Sequence, residues 1–268
     1  MSPRILRRRA LRPAVQLIVG LLILIAIGTI LLLLPWSATR RLTLSEAAFT
    51  AVSALATTGL SVIQPSRDLT LFGQIVLLLL MELGAIGFVV LAVSVFRLLG
   101  RRISFAERVA LRDSLGVVDL WAIVRLTQQV LLGVLTIQGL GALMLWLRWA
   151  NQFGTGRALF LAVFHSVSAF STASFDLFGG GGTAVTNPFP ADTYTLLVIA
   201  SLIALGSIGI PVIADVLNWR SHPRFTLHTK LSLSLWTILT VVGTLLVFIS
   251  ESQGDTAFAS ASPLRRLV

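Results

Sequence analysis

The stretch SALATTGLSV, residues 53–62, sets small and hydroxylated side chains among long apolar runs. A second stretch, SAFSTASFDL at residues 168–177, has the same character. Each follows an amphiphilic run (AAFTAV, LFLAVF), and each precedes a turn and another long apolar segment. The segments that carry them, 36–69 and 148–191, are neither long enough nor apolar enough to cross a bilayer as a full helix. Each opens with a short helical pattern. In the first, LSEAAFTAVSALA, Ser45 reads as the N-cap and Glu46 as the acidic residue of the first turn; the second is GRALFLAVFHSVSAF.

The surrounding sequence is that of a membrane protein. Of 268 residues, 56% are hydrophobic and 12% charged, with a mean hydropathy of +0.91; soluble domains carry about 25% charged residues. Apolar runs predict spans at 14–34, 70–96, 125–147, 192–217 and 229–250. The first is too long for the apolar core of a signal peptide and no clear cleavage site follows it. The absence of cysteine excludes disulfides, thiolate metal sites and cysteine nucleophiles. The formal charge of +10 gathers in three stretches, MSPRILRRRALRP, RLLGRRISFAERVALR and NWRSHPRFTLHTK. By the positive-inside rule these are cytoplasmic, the N-terminus included. They form no independent basic domain, so nucleic acid is not an expected partner.

The polar stretches then lie on the outer side, each as a re-entrant pore loop: a half-helix dips in and an extended segment returns. A repeat supports this. ELGAIGFVV at 82–90 matches ALGSIGIPV at 204–212, pairing Gly84 with Gly206 and Gly87 with Gly209. The polar stretches are 115 residues apart and these glycines 122, which places an insertion near the GGGG of 179–182. The expected fold class is an all-α membrane protein of helix–pore-loop–helix units, two complete and the first helix of a third, with five transmembrane helices and two re-entrant loops. Its parts are a basic cytoplasmic N-terminus (1–13), a first repeat (14–100), an amphipathic cytoplasmic linker (101–124), a second repeat (125–220), a link and fifth helix (221–250) and an external tail (251–268).

Extended backbone at membrane depth is tolerated only where it is buried or lines water. A dehydrated cation repays its carbonyls, which replace the hydration shell. Small side chains let several backbones converge, Gly59 supplies unusual dihedrals, and the C-terminal end of each half-helix favours positive charge.

At these residues the chain resembles the Trk/Ktr/HKT potassium transporter superfamily. The resemblance lies in AFTAVSALATTGLSV with the span after it, in FHSVSAFSTASFDLF, similar to a loop usually written N-A-G-F-D, and in RFTLHTKLSL; it runs from about residue 17 to 250. It implies monovalent-cation uptake across the plasma membrane (the bacterial inner membrane) through four such repeats around one pore, with no cofactor beyond the transported potassium. It also implies a homodimer with a cytosolic nucleotide-binding regulatory subunit. Carried over, the first filter segment is Ala56, Thr57, Thr58, Gly59 and Leu60. The second is Ser171, Thr172, Ala173, Ser174 and Phe175. Ser174 stands where the family has glycine, so sodium is expected to compete with potassium. The chain reads ESQGDTAFASASPLRRLV where a third loop would follow, so the expectation is an incomplete half of a transporter, truncated after the second repeat; the alternative is a non-conducting structural subunit.

Other residues have readings of their own. Glu82, in mid-span, is read first as a structural hydrogen bond to a neighbouring loop and second as a cation-attracting charge. Asp176 is either an electrostatic funnel at the outer mouth or a cap on its loop. His165 reads as a buried, neutral, hydrogen-bonded histidine, since no second histidine or carboxylate has ligand spacing. Asp215 is expected to pair with arginines of the following loop, and Gln138 to join helices. Residues 97–112 read as an interfacial amphipathic helix. Enzymatic function is not expected, because His165, His222 and His228 fall on opposite sides of the membrane.

Overall fold

The computed structural model describes residues 13–86, 120–178, 192–217 and 225–252, and among these it is all-helical apart from one isolated bridge. The segment 97–112 expected to be interfacial, Gly87, the expected insertion at 179–182 and both chain ends lie outside the described residues. Helix α1, Pro13–Leu33, follows the first expected span and turns an apolar face outward (Ile18, Leu22, Ile23, Ile27, Ile30). Helix α2, Leu44–Leu55, is about 18 Å long at 1.5 Å per residue, little more than half a bilayer core. A short α3, Pro65–Asp68, leads into α4, Leu71–Ile86.

The expectation that Ser45 caps α2 is corrected. The cap is Thr43, whose hydroxyl accepts the Glu46 N–H at 3.3 Å while the Thr43 N–H donates to Glu46 Oε2 at 2.8 Å. This reciprocal box needs a carboxylate three residues past the cap, and only Thr43 stands at that distance from Glu46. Replacing Thr43 by alanine is expected to cost about 1 kcal/mol, measurable as a lowered unfolding temperature of the purified chain.

The segment between α1 and α4 leaves and returns to one place. Ala38 and Leu69 form an antiparallel bridge, the Thr39 N–H donates to the Asp68 carbonyl at 2.9 Å, and the Thr70 N–H donates to that of Ser37 at 3.0 Å. Gly73 permits this seam, since a Cβ there would lie 2.1 Å from the Ser37 carbonyl oxygen.

In the second copy, α5, Leu120–Phe153, runs past both ends of the expected 125–147 span and is about 51 Å long. A single residue, Gly154 at φ 77°, joins it to α6, Thr155–Phe170. The last two turns of α6 are buried from Phe164 to Phe170 without interruption, so the C-terminal end of this half-helix is enclosed, while Leu159 nearer its start is exposed. Around it stand Trp149 of α5, fully buried, and Phe178, their rings edge-on at 5.1 Å. The expected fourth span is not one helix. It is α7, Thr193–Ile208, and α8, Ile210–Leu217, broken at Gly209 with φ 91°. The Gly209 carbonyl accepts from Val212 and Ile213 at 3.2 Å, and Pro211 has no N–H to continue the ladder. Helix α9, Leu227–Ser252, is apolar and, beyond the buried Thr229 near its start, exposed or half-buried along its length. Large contiguous apolar surfaces of this kind mark membrane or protein contacts.

The glycine correspondence found in the sequence has a structural counterpart. A Cβ on Gly84 would lie 2.3 Å from the carbonyl oxygen of Leu55, the last residue of α2. One on Gly206 would lie 1.7 Å from that of Phe170, the last residue of α6. Each following helix therefore presses bare backbone against the end of its half-helix.

Candidate cation-binding loops

Both half-helices end in the same hydrogen-bond pattern, 115 residues apart. Ala56 and Ser171 donate N–H bonds to Val52 and Val167 at 2.8 and 2.9 Å. Thr57 and Thr172 donate to Ala54 and Ala169 at 3.2 and 3.1 Å, and Thr58 and Ala173 donate to Ser53 and Ser168, both at 2.9 Å. The last two bonds of each set are the paired bonds of a Schellman C-cap, which needs a left-handed residue at its turn. Here that residue is threonine: Thr57 has φ 49° and Thr172 φ 57°. A β-branched residue in this region is rare. The strain, of order 1–3 kcal/mol each, is held because both turns are fixed by three backbone bonds. Residue type alone gave no warning of it; the doubled helix-end phrase is the signal that finds it.

Two residues further on, Gly59 has φ 80° and Ser174 φ 53°. These positions meet. A Cβ on Gly59 would lie 3.0 Å from the Ser174 Cβ and 3.1 Å from the Ala173 carbonyl oxygen. The structure thus brings the two stretches, Ala56–Thr57–Thr58–Gly59–Leu60 and Ser171–Thr172–Ala173–Ser174–Phe175, into contact at their equivalent residues. Ser174 adopts the left-handed conformation that a glycine would take freely, at a cost of about 1–2 kcal/mol, and its side chain is exposed. A cleft of about 410 Å³ opens between the copies, lined by Ser61, Gln64, Ser66 and Asp68 from the first and Ser174, Phe175 and Asp176 from the second.

Asp176 lines this cleft and also holds its loop. Its Oδ1 lies 3.0 Å from His165 Nε2 and accepts the Phe178 N–H at 2.9 Å. His165, 4% exposed, is buried and hydrogen-bonded as expected, its Nδ1 being 2.7 Å from the Leu161 carbonyl oxygen. Local spacing gave no sign of the contact with Asp176, which the loop brings back across a gap of eleven residues. No group of three or more metal-binding side chains occurs among the described residues.

Glu82 bonds to a helix rather than to a loop. Its Oε2 accepts from Gln138 Nε2 at 2.8 Å, and the Gln138 carbonyl accepts from Ser166 Oγ at 2.7 Å. Gln138 therefore joins α4, α5 and α6, the interhelical role expected of it, and Glu82 stands apart from the cleft. Asp215 accepts from the Thr226 N–H and hydroxyl at 3.0 and 3.1 Å; the arginines expected beside it lie outside the described residues.

A charged clamp ties the start of α2 to the end of α3, and it was not foreseen. Arg40 bonds Glu46 Oε1 at 2.8 Å and lies 3.3 Å from Asp68 Oδ1. The Arg40 bond, then those from Thr43, hold the Glu46 carboxyl down at about 2, below its usual range, and the same contacts raise the Arg40 value. A depressed carboxylate stabilises the folded state fully above its unfolded value, about 4.3, and loses that contribution as pH falls through the folded one. The difference in unfolding temperature between the native chain and Glu46→Gln is therefore expected to be constant above about pH 4.5 and to close below it.

Comparison with known proteins follows these features. The family described as TrkH, cation transport protein, matches residues 6–252. The chain is 35% identical over 239 residues to the Ktr system potassium uptake protein B of Bacillus subtilis (strain 168), covering 89% of this chain and 53% of that protein. It is 32% identical over 251 residues to the potassium/sodium uptake protein NtpJ of Enterococcus hirae, covering 93% and 55%. It is 32% identical over 235 residues to the Ktr system potassium uptake protein B of Vibrio alginolyticus, covering 87% and 51%. The chain spans about half the length of the curated relatives it matches. With a family match across nearly all of its length, and two equivalent loops meeting at Gly59 and Ser174, the chain belongs to the TrkH cation transport protein family.

Proposed function

We propose that this membrane protein carries potassium across the plasma membrane, its two loops serving as two quadrants of a carbonyl-lined cation filter. The observation that carries the reading is the contact of Gly59 with Ser174 and Ala173. Equivalent residues of two repeats approach closely enough for their backbones to share one ion. Both loops re-enter from the outer side, with the N-terminus cytoplasmic. Backbone carbonyls from Thr57 to Leu60 and from Thr172 to Phe175 replace the hydration shell, and the C-terminal ends of α2 and α6 point negative charge at the site. Asp176 and Asp68 raise the local concentration of cations at the cleft. The chemistry is translocation and not catalysis. Two quadrants leave a ring unclosed, so further repeats complete it. A second copy of the assembly and a cytosolic nucleotide-binding subunit are the partners proposed from the family.

Ser174 sets the ion preference. Its Cβ narrows the angles open to the second loop, and its exposed hydroxyl competes as a ligand. The test is tracer uptake by cells lacking their own potassium systems and carrying this chain together with the further repeats that complete its ring. Rubidium uptake is expected, with Ser174→Gly raising the ratio of rubidium to sodium uptake. An unchanged ratio would remove Ser174 as the determinant. No uptake of either ion would make the chain a non-conducting structural subunit.

A further inference from the structure

The two loops share a backbone pattern, and one of the braces in which they differ starts from equivalent serines. In the second copy Ser168, 3% exposed, holds the loop at both ends. Its carbonyl accepts the Ala173 N–H at 2.9 Å, and its hydroxyl donates to the Phe175 carbonyl at 2.8 Å. The second bond fixes the direction of the last carbonyl in the filter stretch. Ser53 occupies the same place 115 residues earlier, and its carbonyl accepts the Thr58 N–H at 2.9 Å. Its hydroxyl, however, has no hydrogen-bond partner among the described residues, although Ser53 is only 4% exposed. The carbonyl corresponding to that of Phe175 belongs to Leu60, a residue 59% exposed.

A buried hydroxyl without a partner is costly, and alanine at the same place would avoid the cost. Buried polar groups are otherwise almost always paired, and an orphan calls for a reason. We infer that Ser53 is a positioning residue: when a cation occupies the loops, its hydroxyl takes the Leu60 carbonyl as Ser168 takes that of Phe175, and the first loop closes on the ion. A carbonyl oxygen has two lone pairs, so one faces the ion while the other accepts the hydroxyl. The second loop is braced at all times and the first only when loaded, which makes the first copy the side of the site that responds to occupancy. This inference rests on the filter reading above.

The test uses the purified 268-residue chain in detergent. Thermal unfolding is followed by tryptophan fluorescence in choline chloride and in rising potassium chloride at constant ionic strength. A bound ion raises the unfolding temperature according to its concentration and affinity. Ser53→Ala is expected to unfold in choline at the native temperature or above, because it loses an unpaired group. Its potassium dissociation constant, read from the shift, should rise about threefold to tenfold, the factor that one neutral hydrogen bond is worth, and Ser53→Thr should restore it. Ser168→Ala should be destabilised already in choline, since its bond exists without the ion. A native potassium response in Ser53→Ala would overturn the inference alone, as would its destabilisation in choline to the level of Ser168→Ala. Absence of any potassium or sodium response in the native chain would sink the filter reading and the brace together.

Discussion

Gly206→Ala is expected to yield no folded protein. Its Cβ would stand 1.7 Å from the Phe170 carbonyl oxygen, about half an ordinary contact distance. The obstacle is backbone at the enclosed end of a half-helix, so it has nowhere to move. Overpacking usually costs about 1–3 kcal/mol even where flexible side chains absorb it; here the cost falls at or above the top of that range. Gly84→Ala, at 2.3 Å from the Leu55 carbonyl oxygen, should be nearly as damaging. Gly139→Ala and Gly243→Ala are the controls, since nothing lies within 4 Å of a Cβ at either. These should fold normally and gain up to about 1 kcal/mol from helix propensity. Size-exclusion profiles of detergent extracts separate the outcomes. Normal monodisperse Gly206→Ala would show that the half-helix end is not seated on the following helix.

Gly59→Ala is expected to fold and fail. The residue lies beyond the helix end, so no secondary structure depends on it. Yet its φ of 80° is one that alanine reaches only at a cost of about 1–2 kcal/mol. The added Cβ would also press on Ser174 Cβ at 3.0 Å and on the Ala173 oxygen at 3.1 Å. Relief comes only by swinging the first loop or turning the Ala173 carbonyl, and either disturbs the place where the two copies meet. Rubidium uptake should fall at least tenfold, about 1.4 kcal/mol in the barrier, while the size-exclusion profile stays native. Unchanged uptake would remove Gly59 from the permeation path.

The doubled half-helix end was legible in the sequence because two signals agree in it. Hydropathy marks the spans, and the paired glycines Gly84 and Gly206 mark where backbone meets backbone, which no other residue permits. The two polar stretches stood out for a similar reason, since small hydroxylated side chains are out of place in lipid unless they serve a site. Three things were less legible. Thr43 and Ser45 both offer a hydroxyl near the start of α2, and only the three-residue distance to Glu46 selects the former. The break at Gly209 lies within an unbroken apolar run, so hydropathy cannot register it. Contacts such as Asp176 with His165 and Glu82 with Gln138 span eleven and 56 residues. They depend on how a loop folds back or on which helices become neighbours, and neither follows from local spacing.

In the proposed filter one cation sits between the two loops. Diffraction from crystals of the chain grown with rubidium tests it directly, because the ion announces itself by anomalous scattering. A peak is expected beside Gly59 and Ser174, ringed by carbonyl oxygens of residues 57–60 and 172–175. A saturating rubidium data set with well-ordered loops and no peak there, or with its peak elsewhere, would contradict it.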